Sequence, residues 1–303
     1  MICGFVVIDK PAGITSHDVI SRVRRILGTR KVGHTGTLDP FATGVLPVAV
    51  NDGTKAIPFL DEGLKSYEAV MQLGVATDTL DMTGSVVREA DWRAVTLERV
   101  EEVLKQFTGH LCQIPPMYSA IKCDGQPLYK LARKGLVIER KPRVINIFFL
   151  ELLSFVPPLV GFKVVCSRGT YVRTLADDIG AMLGCGAALK QLRRLASGPF
   201  KISMSVSLES LEEAVRLGTL ENLTVSPYAA LDHLLEIPLS DAGVVHVRHG
   251  RSPGWHDVVV TVPILNAEKE FVRLTWNGEL VAVAQCISCE DAAPRIILKR
   301  VFI

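Results

Sequence analysis

Between Gly33 and Gly44 the chain reads Gly-His-Thr-Gly-Thr-Leu-Asp-Pro-Phe-Ala-Thr-Gly, with three glycines and a proline in twelve residues. Glycines at that density let a backbone come close to a ligand, and loops of this kind often carry function. Asp39 sits near the middle and the imidazole of His34 precedes it. A carboxylate so placed can act as a nucleophile or a base. Asp-Pro is also an ordinary turn initiator and a lone histidine is often structural, so both readings stand at this point. A second polar island, Cys166-Ser-Arg-Gly-Thr-Tyr-Val-Arg173-Thr174, falls between a strand-like run and a helical one. Arg173 there is a surface charge unless it meets a carboxylate such as Asp39 in a bidentate pair, which would hold that acid ionised and aimed. Tyr67, in Lys65-Ser-Tyr-Glu-Ala-Val, reads by itself as a strand aromatic packed in the core.

Other constellations carry less. Cys286-Ile-Ser-Cys289 is a lone CxxC pair, and His246-Val-Arg-His249 precedes it by some 40 residues. That order is not a zinc-ligand pattern, and no βαβ context supports a redox pair. The chain contains no phosphate-binding P-loop, no dinucleotide fingerprint and no locally supported Ser-His-Asp set. No cofactor and no metal is expected.

The elements that must position these groups are legible in part. Cys3 to Ile8 reads as a short buried strand, ended by the turn signal Lys10-Pro-Ala-Gly13. Ser16 is expected to cap a helix with Val19, Ile20, Val23, Ile26 and Leu27 inward, Arg22 and Arg25 outward, and Gly28 as its stop. Further helices are expected at about Leu97 to Phe107, at Leu175 to Leu183, after Ser207 as far as Gly218, and from Ser226-Pro227. Strand-like runs cover Tyr67 to Leu73, Val144 to Leu153 and Phe162 to Cys166. After Ile237-Pro238 the texture changes to short strands, and Asn277-Gly278 between Arg273–Trp276 and Glu279–Ala284 is a strong hairpin signal.

With 303 residues, the length suggests two domains, placed at 1–238 and 239–303. Hydrophobic residues at 48% and charged residues at 22% exclude disordered, collagen-like and coiled-coil classes. The balance of 34 Lys and Arg against 32 Asp and Glu excludes a uniformly basic coat. Charge is nevertheless segregated. Lys122 to Arg143 holds seven basic residues against Asp124 and Glu139, and Lys190 to Lys201 holds four with no acid, whereas Ser207 to Asp241 holds seven acids and one base. Polyanion binders often have such sidedness, and so do ordinary solvated helix faces. The most apolar stretch, Val144 to Phe162, is broken by Asn146, Glu151, Ser154 and Pro157-Pro158 and is unsuited to a bilayer. Seven scattered cysteines, an odd number, with no signal peptide ahead of them point to reduced thiols and a cytoplasmic protein.

Taken together, the motifs are more specific than any one of them. Asp9-Lys10-Pro-Ala-Gly-Ile-Thr-Ser16, then Gly33 to Gly44, Lys65-Ser-Tyr67, Leu73-Gly74 with Thr77-Asp-Thr79 and Asp81, Gln113-Ile-Pro-Pro-Met-Tyr-Ser-Ala-Ile-Lys122, Gly169-Thr-Tyr171-Val-Arg173 with Asp177-Asp-Ile-Gly180, and Leu192-Arg193-Arg194 stand in one order over about residues 5 to 200. This set closely resembles the bacterial tRNA pseudouridine synthase B (TruB) family. The last 65 or so residues match less distinctly.

The resemblance implies an α+β fold with a pseudouridine-synthase-like mixed, largely antiparallel sheet, flanking helices and an active-site cleft, plus a small C-terminal PUA-like β-barrel. It implies isomerisation of uridine 55 in the T-loop of tRNA to pseudouridine, on a flipped-out nucleotide and without a cofactor. By position, Asp39 would be the nucleophile and Arg173 its partner. Tyr67 would stack on the target base or take its C5 proton. His34, Tyr171 and Leu192 would contact substrate. The basic insertion at about 113–143 would be an RNA clamp, with Lys10, Lys122, Lys130, Arg133, Lys134, Arg193 and Arg194 on RNA. Binding would then depend strongly on salt. A monomer with no obligate protein partner and no membrane association is expected. Three rivals are weighed: a non-catalytic tRNA-folding chaperone using the same surface, the related catalytic subunit of guide-RNA particles, and a zinc or redox protein built on Cys286 and Cys289. The second is disfavoured because the chain starts directly at the first motif strand.

Overall fold

The computed structural model describes residues 2–61, 63–123, 125–259, 269–289 and 292–303, without the side chains of residues 269, 288–289 and 292–294. Asp124 of the basic segment and the side chain of Cys289 therefore lie outside the described residues. Among the described residues no helix is long and apolar enough to cross a membrane.

A ten-stranded sheet organises the molecule. Its path runs through Thr224–Val225, Gly4–Lys10, Thr43–Val50, Ala187–Ser197, Leu64–Leu73, Leu159–Ser167, Arg143–Val156 and Gly109–Gln113, with Val32–His34 and Phe200–Lys201 paired beside it. Every pairing is antiparallel except the one between Thr43–Val50 and Ala187–Ser197, where Arg193 and Arg194 lie opposite Thr43 and Gly44. The α+β architecture with a mixed, largely antiparallel sheet is the one expected.

Helices Leu97–Gln106 and Val172–Met182 cover one region of the sheet, and Val100, Val103, Leu175 and Ile179 pack there with Ile145, Ile147 and Phe162. Ser16–Leu27 and Leu208–Leu217 cover another through Val19, Val23 and Leu211 against Val6, Ile8 and Val48. The alternate residues Phe5 and Val7 meet Phe200, Leu231 and Val283. The Gly4–Lys10 strand is thus buried on both faces, in keeping with the apolar run Phe5 to Ile8.

Several expected elements shift. The first helix is capped by Thr15, not Ser16: Thr15 Oγ1 accepts from Asp18 N at 3.1 Å and the Asp18 carboxylate accepts from Thr15 N at 2.8 Å. This reciprocal box outcompetes a Ser16 cap and leaves Ser16 free to face inward. The helix expected from Leu175 begins at Val172, which puts Arg173 in its first turn. Two central strands escape sequence reading. Thr43–Val50 carries Pro47, and a proline argues against a strand. Ala187–Ser197 has register shifts between Leu189 and Gln191 and between Arg194 and Ala196, and these break the period-two pattern. The short helices Leu128–Ala132 and Asp241–Arg248 also lack a clear periodic signature.

Towards the C-terminus, Leu235–Pro238 runs parallel to Lys269–Trp276, followed by antiparallel Glu279–Cys289 and Ala292–Val301. The Asn277-Gly278 hairpin is present, with both residues at positive φ, 50° and 77°. The described residues of the expected barrel form this four-stranded path with Asp241–Arg248 packed on it. Cys286 lies buried in that core, its thiol pushed up to about 11 chiefly by burial.

The parallel seam at Gly44 is the tightest joint near the Gly-rich loop. Gly44 has φ +99°, and a Cβ there would overlap the Arg194 backbone. Gly44→Ala is therefore expected to lower the unfolding free energy by at least about 2 kcal/mol, measured by urea denaturation.

Candidate active site

The 33–44 loop leaves the Val32–His34 strand and re-enters the sheet at Thr43. Three buried side chains hold it from beneath. Ser16 Oγ accepts from Leu38 N at 2.9 Å and donates to Leu38 O at 3.1 Å, pinning the residue before Asp39. Lys10 Nζ donates to Pro11 O, Pro40 O and Ala42 O at 2.9, 3.1 and 2.7 Å. Arg194 donates from Nε to Val45 O at 2.7 Å and from Nη2 to Gly36 O at 3.0 Å. Loop carbonyls thus point inward to cations, and the loop's glycines permit that turn.

Asp39 is left at the surface of the loop with its side chain 34% exposed. Arg173, 5% exposed, pairs with it side-on: Nε to Oδ2 is 2.9 Å and Nη2 to Oδ1 is 3.3 Å. Burial pushes the Asp39 carboxyl above its ordinary range, Arg173 is the chief opposing influence, and the charge of Asp81 adds to the upward push. Arg173 also donates to Thr79 O at 2.9 Å and Tyr118 O at 2.8 Å, and its Nη1 lies 3.6 Å from Asp81 Oδ2. Asp81 is buried and accepts from Thr79 Oγ1, Thr83 N and Thr83 Oγ1. The bidentate pair conjectured from residue types is present. The roles of Thr79, Asp81, Tyr118 and Ser16 were missed. The Thr-Asp-Thr-x-Asp spacing was visible, but nothing local ties it to an arginine some 90 residues away.

Tyr67 is 7% exposed and stands opposite Arg194 across the strand pair. Burial pushes its phenol up to about 12, so it is neutral at neutral pH. Leu192 lies two residues from Arg194 on the same strand, opposite Ala69 and 8% exposed. Tyr171 precedes the first turn that bears Arg173, and burial raises its phenol too. His34 ends the strand leading into the loop and is half-buried.

Two expected RNA contacts are corrected. Lys10 and Arg194 are both 0% exposed and fully engaged with main-chain carbonyls, so neither can reach a phosphate. Lys10 is held down to about 8, chiefly by desolvation. Arg193 points the other way along its strand, half-exposed, with a bidentate pair to Asp9 at 2.7 and 3.1 Å. Lys122, Lys130, Arg133 and Lys134 are exposed on and around the Leu128–Ala132 helix. Among the described residues no three His, Cys, Asp or Glu side chains come together to hold a metal ion.

The profile described as TruB family pseudouridylate synthase (N terminal domain) matches residues 24–172, and that of the tRNA pseudouridylate synthase B C-terminal domain matches 173–239. Over 282 residues the chain is 53% identical to tRNA pseudouridine synthase B of Geotalea uraniireducens, covering 93% of this chain and 91% of that one. It is 54% identical over 285 residues to the protein of the same name from Geobacter sulfurreducens, covering 94% of each. The chain belongs to the TruB family. Among solved structures, the Cbf5 chain of a Cbf5-Nop10-Gar1 complex superposes with a TM-score of 0.77 at 27% identity, covering 99% of this chain and 84% of that one. This TruB family member is therefore a pseudouridylate synthase, and the loop bearing Asp39 falls within the matched N-terminal region.

Removing the Ser16 hydroxyl would strip Leu38 of both partners in a buried setting. Ser16→Ala is expected to cost about 1–3 kcal/mol and to speed amide hydrogen exchange of residues 36–42 selectively. Unchanged exchange there would show that the hydroxyl does not hold the loop.

Proposed function

We propose that this chain isomerises uridine 55 in the T-loop of tRNA to pseudouridine, with Asp39 as its nucleophile. The carrying observation is one half-exposed carboxylate, paired side-on with a buried arginine, on a loop braced from below. The names of its relatives, tRNA pseudouridine synthase B, support tRNA as the substrate.

In this reaction the bond from C1′ to N1 breaks, the uracil turns, C5 bonds to C1′, the C5 hydrogen leaves as a proton and N1 takes up a proton from solvent. Both fragments stay in the pocket, so no second carboxylate is needed to activate water, in contrast to glycosidases. Arg173 keeps Asp39 ionised against the penalty of its surroundings. Asp39 can reach C1′ only once the nucleotide has left its stack. Tyr67, a neutral phenol at neutral pH, suits stacking on the base better than proton abstraction. His34, Tyr171 and Leu192 line the approach. Lys122, Lys130, Arg133 and Lys134 supply phosphate contacts, and Arg193, half-exposed beside Asp9, joins them. The protein acts as a monomer in the cytoplasm, its catalytic unit ending near residue 238 and a PUA-like unit following.

Tritium release from tRNA labelled at uridine C5 tests this reading. Wild type is expected to release tritium, mapped to the T-loop, and Asp39→Asn to bind tRNA without releasing it. Tight binding with no release from any tRNA would leave only the folding-helper role. Because only ionised Asp39 reacts and its carboxyl is raised, the single-turnover rate should climb with pH through a value above the ordinary ~3.9 of aspartate. Neutralising Lys130 or Arg133 should reduce the slope of log affinity against log salt by about one each. Arg194→Lys should leave that slope unchanged.

A further inference from the structure

Gln113 stands outside the chemistry described so far, yet it makes an unusual contact. It ends the Gly109–Gln113 strand, is 3% exposed, and lies opposite Arg143 in the sheet. Residues 113 and 143 are therefore the two feet of the basic insertion. The Gln113 amide reaches Tyr171 and pairs with both of its main-chain groups: Nε2 donates to Tyr171 O at 3.1 Å and Oε1 accepts from Tyr171 N at 2.8 Å. Such two-way pairing needs one donor and one acceptor at fixed spacing, as a neighbouring peptide would supply.

Tyr171 is the N-cap residue of the Val172–Met182 helix, and its side chain makes no capping bond. The aim of that first turn, and of Arg173 within it, thus leans on Gln113. Five residues beyond Gln113, the Tyr118 carbonyl accepts from Arg173 Nη2 at 2.8 Å. The start of the insertion therefore grips this helix end at both Tyr171 and Arg173.

We infer that Gln113 is a positioning residue that couples the basic RNA clamp to the Asp39–Arg173 pair. With Tyr171 held, a shift of the clamp on RNA is felt at the Tyr118 carbonyl and hence at the guanidinium, instead of being absorbed by a loose helix end. Gln113 then serves the chemical step and contributes little to RNA affinity. The inference rests on the functional reading above.

The test measures single-turnover tritium release and tRNA affinity for wild type, Gln113→Leu and Gln113→Glu. Gln113→Leu is expected to slow the rate at least tenfold with affinity within twofold of wild type. A protonated glutamate offers the same donor and acceptor as glutamine, whereas its carboxylate repels the Tyr171 carbonyl. The ratio of the Gln113→Glu rate to the wild-type rate should therefore fall as pH rises. This arm carries the test even where Gln113→Leu fails to fold. A Gln113→Leu rate equal to wild type, a loss confined to affinity, or a pH-independent ratio would each overturn the inference. Wild type inactive on tRNA would instead overturn the functional reading beneath it.

Discussion

The Arg173 guanidinium is almost wholly buried, and a buried cation is tolerable only when its donors and its charge are both answered. Here the answers come from four places: the Asp39 carboxylate, the Thr79 carbonyl, the Asp81 carboxylate and the Tyr118 carbonyl. Each belongs to a different stretch of chain from the helix that bears Arg173. One side chain thus sets where the Gly-rich loop, the 79–81 turn and the start of the basic insertion meet. Of its partners Asp81 is enclosed and Asp39 remains partly open, so the pair presents one carboxylate to the outside while keeping its counter-charge in. Two carboxylates beside one arginine also repel each other, which helps to raise Asp39.

A second constraint lies beneath. Lys10 and Arg194 are both buried under the loop and satisfied by main-chain carbonyls. Their mutual repulsion adds to the desolvation that lowers Lys10. Positive charge fixed below the loop complements the negative charge held at its surface. Rigidity follows from the same arrangement, since the carbonyls of Gly36, Leu38, Pro40 and Ala42 each accept from a buried side chain. A site that must hold geometry within fractions of an ångström is better built on such supports than on a free loop.

The sheet supplies the frame for both. Its single parallel pairing brings the exit of the Gly-rich loop alongside the strand carrying Leu192, Arg193 and Arg194. The antiparallel neighbour of that strand carries Tyr67. Alternation along Ala187–Ser197 then sends Arg194 into the core and Arg193 outward to Asp9, so adjacent arginines do opposite work.

Much of this was legible in the residues themselves. The Gly-rich Asp39 loop, the amphipathic helix after Thr15, the Asn277-Gly278 hairpin and the basic segment at 122–143 rest on local chemistry: φ preferences, periodicity and charge density, all properties of neighbours in the chain. The ordered motif set added the family, because several rare local patterns together are far more specific than one. What only the tertiary structure decided is which charges are buried and what they hold. Lys10 and Arg194 look like any other basic residues in sequence, yet both lie opposite Gly44 in strand pairings that enclose them. Thr79, Tyr118 and Gln113 gained their parts the same way, through hydrogen bonds spanning 55 to 94 residues. Burial and long-range pairing depend on how the whole chain closes on itself, and no local window of sequence contains that information.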